Sequence, residues 1–313
     1  MVTELKDGIL QFLPDTLEYV RKDVNLEKEG RMEEAVDILD DWVKKQQHFV
    51  KKDFSRQYLE RTLISAKGLV ERAKLRMDKL CTFKTLIPEA YPSTASKKDY
   101  EYLLSYAYSA HLPRLTKEHY RVYLLNVKSD RFESSDIQAY FRYLVLISEY
   151  LKRSDYCSGY ITISDLRDVN IVNCVSKCTP TELRQLITMM TEGYGMRIKQ
   201  MHLITPSKMI DVLLALVKQA MSTKLAERIH LHKDLDTLYD FVPKDVLPED
   251  YGGTERSSQK LCEEWLDAVT TQEFVEYFEE MSNAKTDESC RQADKFNEQY
   301  IGMPGSFRAL SVD

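Results

Sequence analysis

Residues 194–206 read Tyr-Gly-Met-Arg-Ile-Lys-Gln-Met-His-Leu-Ile-Thr-Pro, and this stretch decides the fold class. Arg197 to Ile204 within it predicts a strand. The next segment, Pro206 to Lys224, predicts a helix because apolar residues recur there at helical spacing, namely Met209, Ile210, Leu213, Leu214 and Val217. Ile229 to Leu231 again predicts a strand. A helix between two strands favours an α/β layer with a mainly parallel sheet.

The same alternation extends toward the N-terminus. His119 to Val127 and Gly159 to Ser164 read as strands rich in Tyr, Val and Ile. Ile137 to Tyr150 and Pro180 to Gly193 read as amphipathic helices between the strands. We therefore predict a mixed, mainly parallel sheet with flanking helices.

The ends of the chain have a different texture. Three helical stripes, the third broken by Gly68, predict an all-helical N-terminal domain over residues 1–92. Ser93 to Lys98 is the best linker candidate. An α/β domain follows over residues 98–254, and residues 255–313 are expected to hold one helix, Glu255 to Met281, and a polar tail.

Composition excludes several classes of protein. Hydrophobic residues make up 43% and charged residues 30%, which is typical of a folded soluble protein. The net charge of −6 argues against nucleic acid as a bulk partner, although a local basic patch stays possible. Met209 to Val217 is too short to span a bilayer. The first seven residues carry acids where a signal peptide needs positive charge, so we expect a cytoplasmic protein.

No motif supports catalysis or a cofactor. The phosphate-binding and dinucleotide-binding glycine patterns are absent, and so is a nucleophile elbow. His230 and His232 alternate onto one strand face, but no third ligand is suggested, so packed histidines are favoured over a metal site. Asp165 follows a strand and is interpreted as capping the next element. Cys174 and Cys178 lack a second ligand pair and are interpreted as buried thiols. We predict no catalytic residues, no metal and no cofactor.

Three motifs in order carry a resemblance to a known family. They are residues 194–206, Lys-Leu-Ala-Glu-Arg-Ile-His-Leu-His at 224–232, and Leu-Pro-Glu-Asp-Tyr-Gly-Gly at 247–253. Together they resemble the CRAL-TRIO lipid-binding family, in the branch with cellular retinaldehyde-binding protein and α-tocopherol transfer protein. The closing Gly-Ser-Phe-Arg-Ala-Leu, residues 305–310, resembles the ends of insect members. The resemblance implies an apolar cavity closed by a mobile gate helix, here within Pro206 to Lys224.

The resemblance also implies which side chains line the cavity. Most are apolar, and the methionines suit a pocket that adapts to its guest. The expected lining comprises Phe141, Leu144, Ser148, Ile161, Ile163, Leu166, Leu186, Met189, Met190, Tyr194, Met196, Ile198, Met201, Ile210, Leu213, Leu214 and Val217. Leu144 stands where tocopherol carriers usually have a serine, which puts tocopherol itself in doubt.

Four cations match the family's phosphoinositide cleft. They are Arg197 and Lys199, which we expect on one face of a strand, and Lys224 and Arg228, which share a helical face if the gate helix continues through them. Two departures weaken the match. The family's early basic helix keeps Arg61 but has Ile64 and Ala66 at its next two basic positions. The gate's usual Lys-Pro-Phe reads Lys-Gln-Ala at 218–220.

These observations leave three functional hypotheses. The first is a carrier that binds one retinoid, tocopherol-like molecule or other lipid and exchanges it at phosphoinositide-containing membranes. The second, motivated by the altered gate, is a phosphoinositide-binding trafficking adaptor without transfer activity. A hydrolase or isomerase has little support because no catalytic group is identified. The sequence does not name the ligand.

Overall fold

The computed structural model describes residues 5, 7–92, 95–129 and 131–291. Two features of the sequence analysis fall outside this range. The closing motif at residues 305–310 is one, and Ser93 and Thr94 of the predicted linker are the other. Within the described residues, none of the helices is long and apolar enough to cross a membrane.

Four helices form the N-terminal part of the chain. They are α1 Thr16–Asp23, α2 Arg31–Lys45, α3 Arg56–Ser65 and α4 Val70–Leu86. Their apolar stripes meet in one core that includes Leu39, Leu59 and Leu63. The predicted third helical region is two helices, because Gly68 adopts a φ of 74° and a Cβ there would lie 2.3 Å from the carbonyl oxygen of Val24. The domain boundary at residue 92 stays a prediction.

A five-stranded sheet follows after the short helix α5 Lys97–Tyr100. Its strands are β1 Ala107–Leu115, β2 Tyr120–Val127, β3 Gly159–Asp165, β4 Ile198–Ile204 and β5 Ile229–His232, in that spatial order. β1 is antiparallel to β2, and the other pairs are parallel. The predicted mixed, mainly parallel sheet is therefore confirmed. The sequence analysis missed β1, an edge strand whose register shifts between His111 and Leu115, around Pro113.

Helices connect the parallel strands. They are α6 Ser134–Ser154, α7 Ile171–Ser176, α8 Pro180–Thr188 with a π-helical turn at Met189–Gly193, α9 Ile210–Ala220 and α10 Thr223–Ala226. The prediction of one helix from Pro206 to Lys224 was wrong, because the chain breaks after Ala220 and the Ser222 hydroxyl caps α10. The predicted C-terminal helix is also two, α11 Ser258–Val269 and α12 Gln272–Ser282.

The two faces of the sheet have different coverings. The front face carries Tyr123, Thr162 and Met201, which are aligned across β2, β3 and β4. It is covered by helices: the Tyr123 hydroxyl bonds that of Tyr140 on α6. The back face carries Ile161, Ile163 and Asp165 and is covered by residues 235–251.

Contacts on both sides establish this assignment. On the back face, the Tyr251 hydroxyl donates to Asp165 Oδ2 at 2.6 Å, and the Phe241 ring lies 5.3 Å from the His202 ring. On the front face, Leu213 of α9 and Leu125 of β2 pack against the same buried cluster, which includes Val127. The parallel strands β2 to β5 lie side by side in sequence order. Because crossovers between parallel strands are right-handed, all the connecting helices lie on one side of the sheet.

Candidate ligand pocket and basic cleft

The front face is loosely packed where α8 and α9 cover it. No side chain of α8 is buried, and Ala220 is the one buried residue of α9. The first four residues of β4, Ile198 to Met201, are half-buried. Met209 and Val212 on or beside α9 are exposed at 47% and 38%. An apolar layer that stays accessible to solvent within a folded domain marks a binding surface.

Eleven of the seventeen predicted pocket residues belong to this half-buried layer. They lie on α6, α8, the π-helical turn, β4 with the turn before it, and α9, and comprise Phe141, Leu144, Leu186, Met190, Met196, Ile198, Met201, Ile210, Leu213, Leu214 and Val217. The main neighbours of α9 are α7, α8 and α10. The eleven side chains therefore share partial exposure and lie on elements that form or cover the front face.

Four other predicted pocket residues are buried in the walls. Met189 and Tyr194 pack with Leu80 and Phe83 of α4, which joins this wall to the N-terminal helices. The Ser148 hydroxyl donates to the carbonyl oxygen of Leu144 at 2.7 Å and lies 3.1 Å from the sulfur of Met190. Leu166 packs in the cluster that Leu213 contacts. These four buried residues therefore form the walls next to the half-buried layer.

Ile161 and Ile163 do not join this region. They lie on the back face, where they are 3% and 0% exposed, so the structure does not place them in the layer under α8 and α9. Alternation along β3 turns Thr162 and Ser164 to the front face instead, and both are half-buried. The period of two in Ile-Thr-Ile-Ser was visible in the sequence, but it does not say which face the helices cover.

All four predicted phosphoinositide-binding cations line one cleft of about 260 Å³. Arg197 and Lys199 come from β4 and the residue before it, Lys224 from α10, and Arg228 from the turn before β5. Lys224 and Arg228 do not share a continuous helix. The sequence analysis missed three further cations in the cleft, Lys67, Arg72 and Arg76, which the α3–α4 connection and α4 contribute.

The cations of this cleft repel one another. Desolvation first, and then neighbouring cations, lower the pKa of Lys199 and that of Lys67. Arg197 pairs with the carboxylate of Asp23 at 2.8 Å, and the Lys199 ammonium lies 4.9 Å from the centre of the Tyr120 ring. Because positive charge is in excess, an anion such as a phosphate would relieve the repulsion.

The positions that depart from the family's basic helix lie away from the cleft lining. Ile64 and Ala66 are buried at 4% and 0% exposure. Arg61 donates to the carbonyl oxygen of Lys152 at 2.8 Å, and its guanidinium stacks 5.0 Å from the Tyr156 ring. Lys67, Arg72 and Arg76 therefore supply the N-terminal positive charge of the cleft instead of this helix.

The other candidate polar residues have structural partners on the back face. Asp165 accepts hydrogen bonds from Arg167 and Tyr251. Burial raises the pKa of Asp165, but these bonds outweigh burial and lower that pKa below its usual value. His202 joins His230 and His232, and its Nδ1 lies 2.9 Å from His232 Nε2. Among the described residues, no group of three metal-type ligands is arranged to hold an ion.

Comparison with known proteins agrees with this geometry. Residues 108–253 match the model of the CRAL/TRIO domain. That match supports the CRAL/TRIO family for this segment. The segment covers the sheet, the front-face helices α6 to α10 and the residues that cover the back face.

Individual relatives are similar over part of their length. The chain is 28% identical over 137 residues to mouse "Alpha-tocopherol transfer protein-like", covering 42% of this chain and 40% of that protein. It is 30% identical over 98 residues to Xenopus laevis "Clavesin-1", covering 31% and 29%. The chain thus matches less than half the length of these relatives. The crystal structure of Sfh5 covers 85% of this chain and is itself wholly covered, at 9% identity and a TM-score of 0.45, a likeness too low to add to the fold described above.

Proposed function

We propose that this protein carries one small apolar molecule in the half-buried layer between α6, α8, α9 and β4. The observation that carries the proposal is the incomplete burial of the apolar side chains on α8 and α9. A helix as apolar as Ile-Asp-Val-Leu-Leu-Ala-Leu-Val normally buries its apolar face in a core. A guest that fills this layer completes that burial.

The chemistry of the layer selects an apolar guest without naming it. Burial of about fifteen CH₂ equivalents yields on the order of 12 kcal/mol before the cost of immobilisation. Ser148, Thr162 and Ser164 are the hydroxyls at hand, and the Ser148 hydroxyl is already bonded to the Leu144 carbonyl. A retinoid, a tocopherol-like molecule or another isoprenoid fits an apolar layer with few hydroxyls. The similarity to "Alpha-tocopherol transfer protein-like" supports this class of ligand.

We further propose that the guest is exchanged at anionic, phosphoinositide-bearing membranes through the basic cleft. The positive cleft gives this acidic protein a preferred docking side on an anionic leaflet. The cleft and the apolar layer share Met196 and Ile198 in their walls. A bound phosphate group would therefore act close to the pocket.

A vesicle-to-vesicle transfer assay tests both parts. A fluorescent retinoid analogue is loaded on the protein and offered to vesicles with or without phosphatidylinositol bisphosphate. We expect faster transfer to the phosphoinositide vesicles, and a drop of about tenfold or more in the Lys224→Glu/Arg228→Glu variant, because each basic residue contributes about 1 kcal/mol at such a surface. Lys233→Glu, an exposed cation outside the cleft, is the control. Transfer that ignores both lipid and variant would contradict the exchange proposal.

The adaptor hypothesis is supported by a separate observation: the cleft is built from β4, α10 and the N-terminal helices and does not need a guest. Vesicle flotation of Met201→Trp, which fills the pocket, separates the two functions. An adaptor keeps full phosphoinositide binding and has no cargo in the wild-type protein. A carrier loses its cargo in the variant.

A further inference from the structure

Lys152 on α6 is a buried lysine that lacks a carboxylate partner. It is 7% exposed, and among the described residues no carboxylate oxygen lies within 4 Å of its Nζ. Two other lysines are covered to a similar degree but are paired: Lys84 Nζ lies 2.5 Å from Glu149 Oε1, and Lys51 Nζ lies 2.6 Å from Glu280 Oε1. Lys152 is therefore buried as deeply as Lys84 and Lys51, but unlike them it has no carboxylate partner among the described residues.

The surroundings of Lys152 favour the neutral amine. Burial lowers the pKa of Lys152 well below its usual value, and the guanidiniums of Arg76 and Arg61 lower it further. Glu149 opposes this, and its Oε1 is engaged by Lys84 and by the Tyr194 hydroxyl at 2.9 Å. The Tyr58 ring, 5.0 Å from Nζ, is the other group that favours the charged form.

Lys152 also lines a cavity that borders the proposed pocket. The cavity measures about 50 Å³, and Ser148, Tyr194 and Met196 line it too. These three residues belong to the walls of the pocket proposed above. Arg61 lines the same cavity, and its guanidinium N–H groups can donate to an oxygen atom inside it. An amine and oxygen-binding groups thus meet at one end of the apolar layer.

We propose that the Lys152 amine captures the aldehyde group of a lipid guest as a reversible imine. The inference rests on the proposed carrier function. The amine lone pair forms a bond to the carbonyl carbon, the nitrogen gives up its two protons to the carbonyl oxygen, and one water leaves as the C=N bond forms. No oxidant or reductant is consumed. A lysine that is desolvated beside other cations is a recognised nucleophile for carbonyl compounds.

Reductive methylation with formaldehyde and cyanoborohydride at pH 7 tests the amine itself. Peptide mass spectrometry reports the labelling rates of Lys152, Lys84 and Lys51 in one sample, so the two paired lysines are matched controls. We expect Lys152 to react at least about tenfold faster than either, since a neutral amine is the reactive form. The pKa of Lys51 is raised, because its bonds to Glu280 and Asp53 outweigh burial. Lys152 labelling no faster than that of Lys84 would overturn the proposal.

Decanal and decanol then test the guest. With cyanoborohydride present, decanal is expected to leave a covalent decyl group on Lys152 at near-stoichiometric yield, and Lys152→Met, an uncharged side chain of similar length, is expected to abolish the adduct while still binding decanol. Binding of decanol with no decanal adduct would overturn aldehyde capture and leave the carrier standing. Fast formaldehyde labelling with no binding of decanol would support the amine site and contradict the carrier.

Discussion

The back and front faces of the sheet are built from the same strands, but they differ in how completely their apolar side chains are covered. On the back face, Ile163 and Ile204 are 0% exposed and pack with Leu238 and Val242. On the front face, the layer under α8 and α9 is half-buried, and Leu231 on β5 is 48% exposed. The difference indicates that the back face is a closed core, whereas the front face under α8 and α9 is loosely covered, as the proposed guest site requires.

The largest expected effect comes from matched truncations on the two faces. Ile163→Ala on the back face removes a fully buried side chain and is expected to cost about 2–5 kcal/mol of unfolding free energy. Ile187→Ala on α8 removes a half-buried one and is expected to cost less than about 1.5 kcal/mol in the ligand-free protein. Urea unfolding measures both. Equal costs would contradict the division between a packed and a loose face.

Enlarged side chains give the converse test. Leu124→Phe on the back face, where Leu124 is 1% exposed, is expected to lose about 1–3 kcal/mol because a filled core has no room for the ring. Leu214→Phe on α9 is expected to leave the ligand-free protein unchanged or more stable. The same unfolding experiment applies, and a loss at Leu214 as large as that at Leu124 means that the front face is already full.

A smaller effect concerns pH and the histidines of the back face. Burial first, and then His232 and His230, lower the pKa of His202 to about 3. Below pH 6.5 the unfolded chain binds a proton at this position that the folded protein does not. The contribution of His202 to the free energy of unfolding is therefore fully present above pH 6.5 and is lost as the pH falls toward 3. The slope is at most about 1.4 kcal/mol per pH unit.

His202→Asn is expected to flatten this slope between pH 6.5 and 4.5. His111, whose pKa burial and then Arg121 also lower to about 3, titrates in both proteins, so its contribution cancels in the difference. Unfolding curves at several pH values measure the slope. An unchanged slope would show that His202 takes up protons in the folded state.

The sequence predicted the architecture well because periodicity reports it directly. β2 to β5 and α6 were found from alternation and helical spacing, whereas β1 escaped because Pro113 and small polar residues interrupt it. Breaks within helical stretches, such as the one before Ser222, depend on capping, which apolar spacing does not reveal.

The candidate site was predicted less completely, because it depends on contacts between distant segments. Alternation placed Ile161 and Ile163 on a common face, but only the position of residues 235–251 identifies that face as the back. Lys67, Arg72 and Arg76 reach the basic cleft from the N-terminal helices, and no local pattern joins them to Arg197. Lys152 could be recognised only from the structure, because its burial and the absence of a carboxylate near its Nζ among the described residues depend on contacts between distant segments.

Quantification of apolar small molecules in an organic extract of the natively purified protein tests the central claim most directly, with Met201→Trp measured beside the wild-type protein. We expect the wild-type protein to release one class of apolar molecule at close to one per chain, and the folded variant to release far less. Wild-type protein that yields none, and that is not stabilised by added retinoids or tocopherols, would contradict a guest-receiving front face.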